Sequence, residues 1–537
     1  MISPTMTGAV TASPLVLPAP QIEWSNLVAI FVLFGGAALS VLLEALVPRR
    51  ARRSVQIALT ILVLIAALVA VIVPWSRGDH LLAGEGALAL DGPTCATWSM
   101  LMVFGLGTVL LFAERMGGAQ TSFVANASSV PGSALERESE EARREHTEVF
   151  PLLLFCLFGM MFFAASNDLI LMFVALEIFS LPLYLLTGMS RRRRLVSQEA
   201  SVKYFLLGAL SSAIFLYGIA LVYGAAGSFQ LGIIAQASMT QISGSKIFAA
   251  GMILVAVGLL FKVGAVPFHN WTPDVYTGAP SPVTAFMSIA TKMVALLGLM
   301  RVMYVAMGAM RWDWQLLLAV VAVASMAVGA IVGLSQTDMK RMIAYSSIAH
   351  AGFIMVGVVG AYTLQTGQRP DQTGSVSSVL IYLAGYGLAT IGFFMVILMV
   401  RKAGGESTEI DSWAGLGRRH PMLGALIVLF MLSFAGIPAT AGFTGKLFVF
   451  LAGWRGGYAW LVLLGVIFSL VAAYFYLHVI YVVFFKTPGE QAQGVEVGDP
   501  SVGGWIVLVV CALGTLILGL YPQPIIEMVN HASVFLR

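Results

Sequence analysis

The sequence predicts an all-α polytopic membrane protein with about 14 transmembrane helices, two of which are broken. Of its 537 residues, 59% are hydrophobic and only 10% are charged, whereas soluble globular proteins carry about 25% charged residues. Apolar runs of roughly 20 residues, the length that crosses a bilayer as a helix, recur along the chain. Two runs are interrupted by glycine and proline, at Gly264 and Pro267 and again at Gly436 and Pro438.

Hydropathy divides the chain into consecutive segments. Residues 1–24 form a polar, proline-bearing lead-in, without the basic segment and apolar core of a cleavable signal peptide. Three helices are predicted within 25–113, and the charged segment 114–148, which contains ERESEEARREH, predicts a cytoplasmic loop or a short surface helix. The individual spans are predicted at 25–47, 55–76, 93–113, 149–166, 169–188, 200–225, 246–268, 282–305, 314–335, 340–362, 377–401, 421–452, 458–485 and 503–529.

The loop lysines and arginines predict the orientation. If the N-terminus lies outside, most of them fall in cytoplasmic loops, as the positive-inside rule requires. The even number of spans then places both termini outside. The arginines assigned to cytoplasmic loops include Arg49, Arg50, Arg52, Arg53 and the run from Arg191 to Arg194.

Once the other lysines and arginines are assigned to the two sides of the membrane, four basic residues are left over within predicted spans, and all four are lysine although arginine outnumbers lysine in the chain. Lysine can lose its proton, whereas arginine stays charged. Arg301, near the outer end of its span, is expected to snorkel toward the membrane surface. The pattern therefore predicts proton handling by Lys203, Lys262, Lys292 and Lys446.

Glu177, in LMFVALEIFSLPLYLL, is predicted near the middle of its span. A carboxylate at that depth costs about 2.5 to 3.5 kcal/mol on insertion scales, so a buried lysine is its expected partner. One interpretation is a purely structural ion pair between helices. The other is a proton relay, which an excess of deep lysines over deep acids favours.

The two interruptions also predict an internal repeat. Lys262 precedes Gly264, and Lys446 follows Gly436, five spans further along the chain. Five is odd, so the copies, at 149–306 and 314–485, would be inverted in the membrane, as in many transporters. A last helix is predicted at 503–530.

Two further residues have two interpretations each, and a third has one. Lys203, near Glu199, is either a weaker relay residue or an interfacial lysine. His350, in AYSSIAHAG, is either part of a proton wire or bonded to a carbonyl. His478, among the tyrosines of AYFYLHVIYVVFF, is expected to pack in an aromatic belt.

The sequence encodes no nucleotide-binding glycine motif, and no nucleic-acid partner is expected. Cys95, Cys156 and Cys511 lie far apart in apolar surroundings. Their spacing fits neither an iron-sulfur cluster nor a zinc site, so buried inert thiols are expected.

Four segments closely resemble the antiporter-like membrane subunits of the proton-pumping NADH-quinone oxidoreductase, respiratory complex I. The resemblance runs from about residue 149 to the C-terminus, and DVYTGAPSPV is most similar to the subunit N branch. The long segment 114–148 and the histidine at 478, where relatives often have arginine, depart from the family pattern. The segments are PFHNWTPDVYTGAPSPV, LEIFSLPLYLL, QTDMKRMIAYSSIAHAGF and LSFAGIPATAGFTGKLFVF.

The resemblance implies a fourteen-helix fold with two inverted five-helix repeats around a central hydrophilic axis. It implies that Glu177 and Lys262 form the family's acid-lysine pair, that Lys292 is the central lysine, that Lys446 belongs to the second broken helix, and that His350 lies near the axis. NADH, FMN, iron-sulfur clusters and quinone would belong to other subunits, and this chain would hold no cofactor or metal.

The resemblance also implies partners and a location. The expected partners are the lipid bilayer and other membrane subunits, including antiporter-like subunit M and the small membrane subunits. The expected location is the bacterial plasma membrane. From the residues alone, two other functions stay open: a subunit of a multisubunit cation/proton antiporter, and a structural membrane spacer, against which the buried lysines argue.

Overall fold

A computed structural model gives the fold as helices packed side by side, joined by short loops and two small sheets. Most of the lead-in 1–24 and of the charged segment 114–148 lies outside the described residues, as do the arginines at 191–193. The structure describes residues 22–78, 80–115, 121–123, 133–135, 138, 146–190, 194–240, 244–362, 373–402, 405–530 and 532–536.

Three helices open the described chain, in agreement with the three spans predicted there. They are α1 (Val28–Leu46), α2 (Arg49–Ser76) and α3 (Gly92–Phe112). A hairpin of β1 (Leu81–Ala83) and β2 (Leu88–Leu90) lies between α2 and α3. One prediction was wrong here: Arg49, Arg50, Arg52 and Arg53 form the first turns of α2 rather than a loop, because Pro48 precedes the helix and proline is well placed at a helix start.

The region 149–306 contains a set of helices that pack on one another, in which two short helices, α7 and α9, were not predicted. The helices are α4 (Val149–Ala165), α5 (Leu169–Thr187), α6 (Arg194–Ala226), α7 (Leu231–Thr240), α8 (Lys246–Val263), α9 (Trp271–Gly278) and α10 (Ser281–Arg301). Every residue of α10 is buried, so this helix lies at the centre of the protein.

The region 314–485 contains a similar series of helices, with one short helix, α14, that was not predicted. The helices are α11 (Arg311–Gly333), α12 (Met339–Gly360), α13 (Ser375–Met399), α14 (Leu416–Arg419), α15 (Pro421–Ala435), α16 (Ala441–Arg455) and α17 (Ala459–Phe484). In both regions the interrupted helix comes immediately before the last long helix, which supports the predicted repeats.

The C-terminal span is shorter than predicted. It was expected at 503–529, but α18 (Val502–Leu520) stops before Pro522 and a separate helix, α19 (Gln523–Asn530), follows. Proline lacks the backbone N–H that would continue the helical hydrogen bonds. The second sheet, in the order β4 (Gly405–Glu406), β3 (Val400–Lys402) and β5 (Val495–Val497), was not predicted.

The two helix breaks have the same backbone geometry. Gly264 and Gly436 each follow the last helical residue with φ of 76° and 81°, a conformation that favours glycine. The next residue along, Ala265 or Ile437, donates its N–H to the carbonyl five positions back. This is the Schellman motif that commonly ends helices, and Pro267 or Pro438 follows it.

Twelve described helices are long and apolar enough to cross a membrane, and two shorter apolar helices, Val149–Ala165 and Pro421–Ala435, accompany them. The predicted all-α membrane fold is confirmed, with two small sheets added. The inverted relation of the two regions stays a prediction.

Candidate functional site

Lys292 lies on the fully buried helix α10, and only 2% of its surface is exposed. Its ammonium donates to the carbonyl oxygen and to the hydroxyl of Ser347 on α12, both at 2.5 Å. The ammonium also lies 5.2 Å from the ring centre of Tyr386 on α13, close enough for a cation–π interaction. The Ser347 hydroxyl lies 3.4 Å from the hydroxyl of Tyr276 on α9. The central lysine is therefore held by neutral groups from two helices, α12 and α13, and Tyr276 on α9 contacts the serine that binds it.

His350 lies one turn beyond Ser346 and Ser347 on α12 and is also buried. Its Nδ1 is 2.6 Å from the hydroxyl of Tyr382 on α13, and its Nε2 is 3.2 Å from the hydroxyl of Tyr476 on α17. The Tyr476 hydroxyl also hydrogen-bonds to Ser346. Both ring nitrogens thus meet hydroxyls rather than the backbone carbonyl of the alternative interpretation, and the proton-wire role of His350 stays a prediction.

Lys446 lies on α16, after the second break. Its ammonium donates to the last carbonyls of α15, those of Phe434 at 3.1 Å and Ala435 at 2.8 Å, and to the hydroxyl of Ser469 on α17 at 2.8 Å. The C-terminal end of a helix attracts a cation because its carbonyls are unpaired and its dipole is negative. The break at Gly436 therefore creates the binding site for this ammonium.

Lys262 lies on α8, just before the first break, and its contacts are different. The ammonium donates to the hydroxyls of Ser180 at 2.8 Å and Tyr184 at 3.3 Å, both on α5. Glu177 lies on the same helix one turn before Ser180, near enough to interact electrostatically with Lys262. However, among the described residues it makes no direct salt bridge with Lys262, and its buried Oε1 has no hydrogen-bond partner there. The expected acid-lysine pair is therefore not in direct contact, and Lys262 bonds Ser180 instead.

Lys203 lies at the surface, not in the interior. Its side chain is 42% exposed and pairs with Glu199 at 2.6 Å and with Asp274 on α9 at 2.8 Å. Asp274 also pairs with Arg341 on α12 at 3.0 Å. The structure therefore favours the interfacial interpretation of Lys203, and the proposal that this lysine is a weaker relay residue gains no support from its position.

Arg301 corrects another expectation, since it does not snorkel. It is fully buried at the end of α10, and two of its nitrogens each lie 2.8 Å from an oxygen of Asp91. It also donates to Thr94 at 2.7 Å, and its guanidinium lies over the ring of Phe535. The protein interior therefore accepts an arginine when a carboxylate neutralises it.

Lys292, His350 and Lys446 form a row of polar groups between tightly packed helices, connected by the serines and tyrosines described above. Lys262 with Ser180 and Tyr184 forms a further buried polar site. Hydroxyl, imidazole and amine groups can all accept and release a proton, so the row is chemically suited to proton transfer. In the part of the chain that the structure describes, no cluster of acidic, histidine and cysteine residues has the geometry of a metal site.

Sequence reasoning missed the hydroxyls that connect these residues. Tyr476 lies two positions before His478, among several other aromatic residues. The sequence therefore does not distinguish this tyrosine from its neighbours. In the structure His478 is exposed and stacks between Tyr474 and Tyr481, so its predicted aromatic packing is confirmed. The three cysteines are buried, as expected, and none of them forms a disulfide.

Comparison with known proteins identifies the family. A family model described as "NADH:quinone oxidoreductase/Mrp antiporter, TM" matches residues 166–472. The NADH-quinone oxidoreductase subunit N of Cutibacterium acnes is 68% identical to this chain, over 97% of the chain and 96% of the relative. The chain belongs to the NADH-quinone oxidoreductase subunit N family.

Other subunit N relatives match over their whole length. The protein of Acidothermus cellulolyticus is 46% identical over 99% of this chain and 100% of its own. A chain of respiratory complex I from Thermus thermophilus with bound aureothin is 31% identical, with a TM-score of 0.72 over 93% of this chain and 98% of the other. The Mrp complex from Dietzia sp. has a chain with a TM-score of 0.76 at 19% identity, covering 95% of this chain and 97% of its own, which shows a shared fold alone.

Proposed function

We propose that this chain is a proton-translocating membrane subunit of an NADH-quinone oxidoreductase, respiratory complex I. NADH oxidation and quinone reduction would take place in other subunits, which hold the FMN, the iron-sulfur clusters and the quinone site. One observation supports the proposal beyond family membership: three deeply buried lysines and a buried histidine each contact a side-chain hydroxyl inside the protein.

The proposed roles follow from the contacts. Lys292 is the central relay residue, because its serine and tyrosine neighbours do not fix its charge. Glu177 acts on Lys262 through space, and Lys446 passes protons at the second break. His350 connects the Lys292 site to the Lys446 site. Each lysine is bonded by neutral groups, so gaining or losing its proton leaves no carboxylate in direct contact unpaired.

The proposal includes the location and partners. The chain would lie in the bacterial plasma membrane with both termini outside, among lipids and the other membrane subunits, antiporter-like subunit M and the small membrane subunits among them. The long apolar helices support a membrane location, and the subunit N relatives support membership in a complex.

The test has two parts. First, the chain is purified from its native membrane in mild detergent, and we expect it to copurify with flavin- and iron-sulfur-containing subunits. Second, Lys292→Ala is introduced, and we expect NADH-driven acidification of membrane vesicles to fall to a small fraction while the complex still assembles on native gels. Normal acidification in assembled Lys292→Ala complex would contradict the proposed relay.

A multisubunit cation/proton antiporter is the second candidate, because the matching family model names both classes. An antiporter would dissipate an imposed pH gradient on addition of Na⁺ without NADH. We expect no such response from membranes that contain this chain, and a Na⁺ response that disappears with the chain's deletion would favour the antiporter.

A further inference from the structure

Tyr476 occupies a junction in the polar row. It lies on α17, outside both broken helices, and its side chain is buried. Its hydroxyl has two partners: Ser346 on α12, and Nε2 of His350 at 3.2 Å. These are the two interactions that a phenol hydroxyl in a proton wire requires, one on each side.

Each partner of Tyr476 leads to a different lysine. Ser346 is adjacent to Ser347, whose hydroxyl and carbonyl both accept from Lys292. On the other side, the ring of His350 packs 6.1 Å from that of Phe434, whose carbonyl accepts from Lys446. Lys446 also bonds Ser469, which lies on α17 two turns before Tyr476. Tyr476 is therefore placed between the Lys292 site and the Lys446 site.

We propose that the Tyr476 hydroxyl carries protons between the Lys292 site and His350, which makes Tyr476 a further residue of the relay. This inference rests on the proposed function. It predicts that the phenol oxygen, and not only the aromatic ring, is needed for proton translocation.

The transfer is balanced at each group. A proton arriving from the Ser346 side binds the Tyr476 oxygen while that oxygen releases its own proton to Nε2 of His350. The imidazole then carries the added proton as an imidazolium ion, with Nδ1 2.6 Å from the hydroxyl oxygen of Tyr382. Tyr476 gains one proton and loses one, so its charge is unchanged, and His350 gains one proton and one positive charge.

A structural role for Tyr476 is the competing explanation. Its ring packs against those of Phe434 and Phe475, so the side chain contributes to the contacts of α17 in any case. Tyr476→Phe keeps that ring and removes only the hydroxyl. Tyr474→Phe is the matched control, since Tyr474 lies on the same helix but is 65% exposed and far from the row.

The experiment compares the two variants and Lys292→Ala in the intact complex in membrane vesicles. Assembly is followed on native gels, and NADH oxidation and acidification are recorded together. We expect Tyr476→Phe to lower acidification severalfold with the complex assembled, and Tyr474→Phe to match the unmodified chain. A second measurement places 3,5-difluorotyrosine at position 476, which keeps the side-chain shape but makes the hydroxyl more acidic. We expect the pumping rate and its solvent deuterium isotope effect to change.

The outcomes separate the two proposals. Normal acidification in Tyr476→Phe alongside a defective Lys292→Ala would overturn the role of Tyr476 and leave the proposed function standing. Normal acidification in both would overturn both. If Tyr476→Phe fails to assemble, the difluorotyrosine variant decides: an unchanged rate and isotope effect make Tyr476 structural, and a change in either supports the relay.

Discussion

Arg301 and three of the buried lysines, Lys262, Lys292 and Lys446, lie in the same protein interior, but their neighbours are of opposite kinds. Arg301 shares two contacts with the Asp91 carboxylate, and Leu536 of the C-terminal segment donates its backbone N–H to the same carboxylate at 3.1 Å. Lys292 and Lys446 bond only hydroxyls and carbonyls, and Lys262 bonds hydroxyls. A permanently charged residue is thus fully neutralised, and the titratable residues are not.

This difference separates structural cations from functional ones. A buried charge whose partner is removed is strongly destabilising, so an arginine and aspartate pair fixes α10 to α3 and to the C-terminal segment. Lysines bonded by neutral groups can exist with or without the extra proton, and only such residues can relay it. Burial of a cation is therefore not itself a sign of proton transfer; the chemistry of its neighbours decides.

The largest effect is expected at the structural pair. Arg301→Ala leaves the buried Asp91 carboxylate unpaired, at a cost of about 3 to 5 kcal/mol, so the level of assembled complex on native gels should fall sharply. Arg311→Ala is the control, because Arg311 lies at the exposed start of α11. Full assembly and unchanged thermal stability of Arg301→Ala would show that Arg301 is not a structural cation.

Lys262→Ala should have the opposite effect on assembly and on proton pumping. It removes a titratable group without leaving a directly bonded carboxylate, so we expect normal assembly but acidification reduced to a small fraction. Lys402→Ala, at an exposed lysine, serves as the control and should leave both unchanged. Loss of assembly in Lys262→Ala with full pumping by the residual complex would place Lys262 with Arg301 as a structural cation.

Lys446→Arg tests whether charge is sufficient at the second break. Arginine keeps the positive charge that the carbonyls of Phe434 and Ala435 attract, but it stays protonated. We therefore expect assembled complex that pumps nearly as poorly as Lys446→Ala, measured in the same vesicles. Full pumping with arginine would leave Lys446 a fixed cation.

Substitution of Glu177 should have an intermediate effect on proton pumping, and the effect should depend on Lys262 alone among the lysines. Glu177→Gln removes the negative charge near Lys262, and we expect a partial loss of pumping, with Glu177→Asp milder. A double-mutant comparison should show coupling with Lys262→Ala but not with Lys446→Ala, because coupling requires proximity. Equal behaviour of the Gln and Asp variants would mean that the charge of Glu177 is not what matters.

The smallest effect is expected at Lys203. Surface ion pairs contribute about 0 to 1 kcal/mol, and Lys203 is among the exposed ones. Lys203→Gln should leave assembly and acidification close to normal at moderate salt. A large loss of acidification with intact assembly would show that Lys203 is a relay residue.

The sequence by itself determined the membrane fold, the two breaks and the lysines inside spans. These properties are local: about 20 apolar residues cross a bilayer, glycine and proline end helices, and a charged residue within such a run is conspicuous. Pro522, which ends the last long helix, is a local signal of the same kind. The arginines at the start of α2 are less clear from the sequence, because a run of charges is typical of a loop as well as of a helix end outside the bilayer.

Only the tertiary structure decided which cations are neutralised. Arg301 and Asp91 lie 210 residues apart, Lys292 and Ser347 lie 55 apart, and His350 and Tyr476 lie 126 apart. Serine, threonine and tyrosine occur in most spans, so no local pattern marks the few whose hydroxyls reach a lysine. Their positions depend on how α10, α12 and α17 pack together, because it is the packing of helices distant in sequence that brings a hydroxyl or a carboxylate to each buried charge.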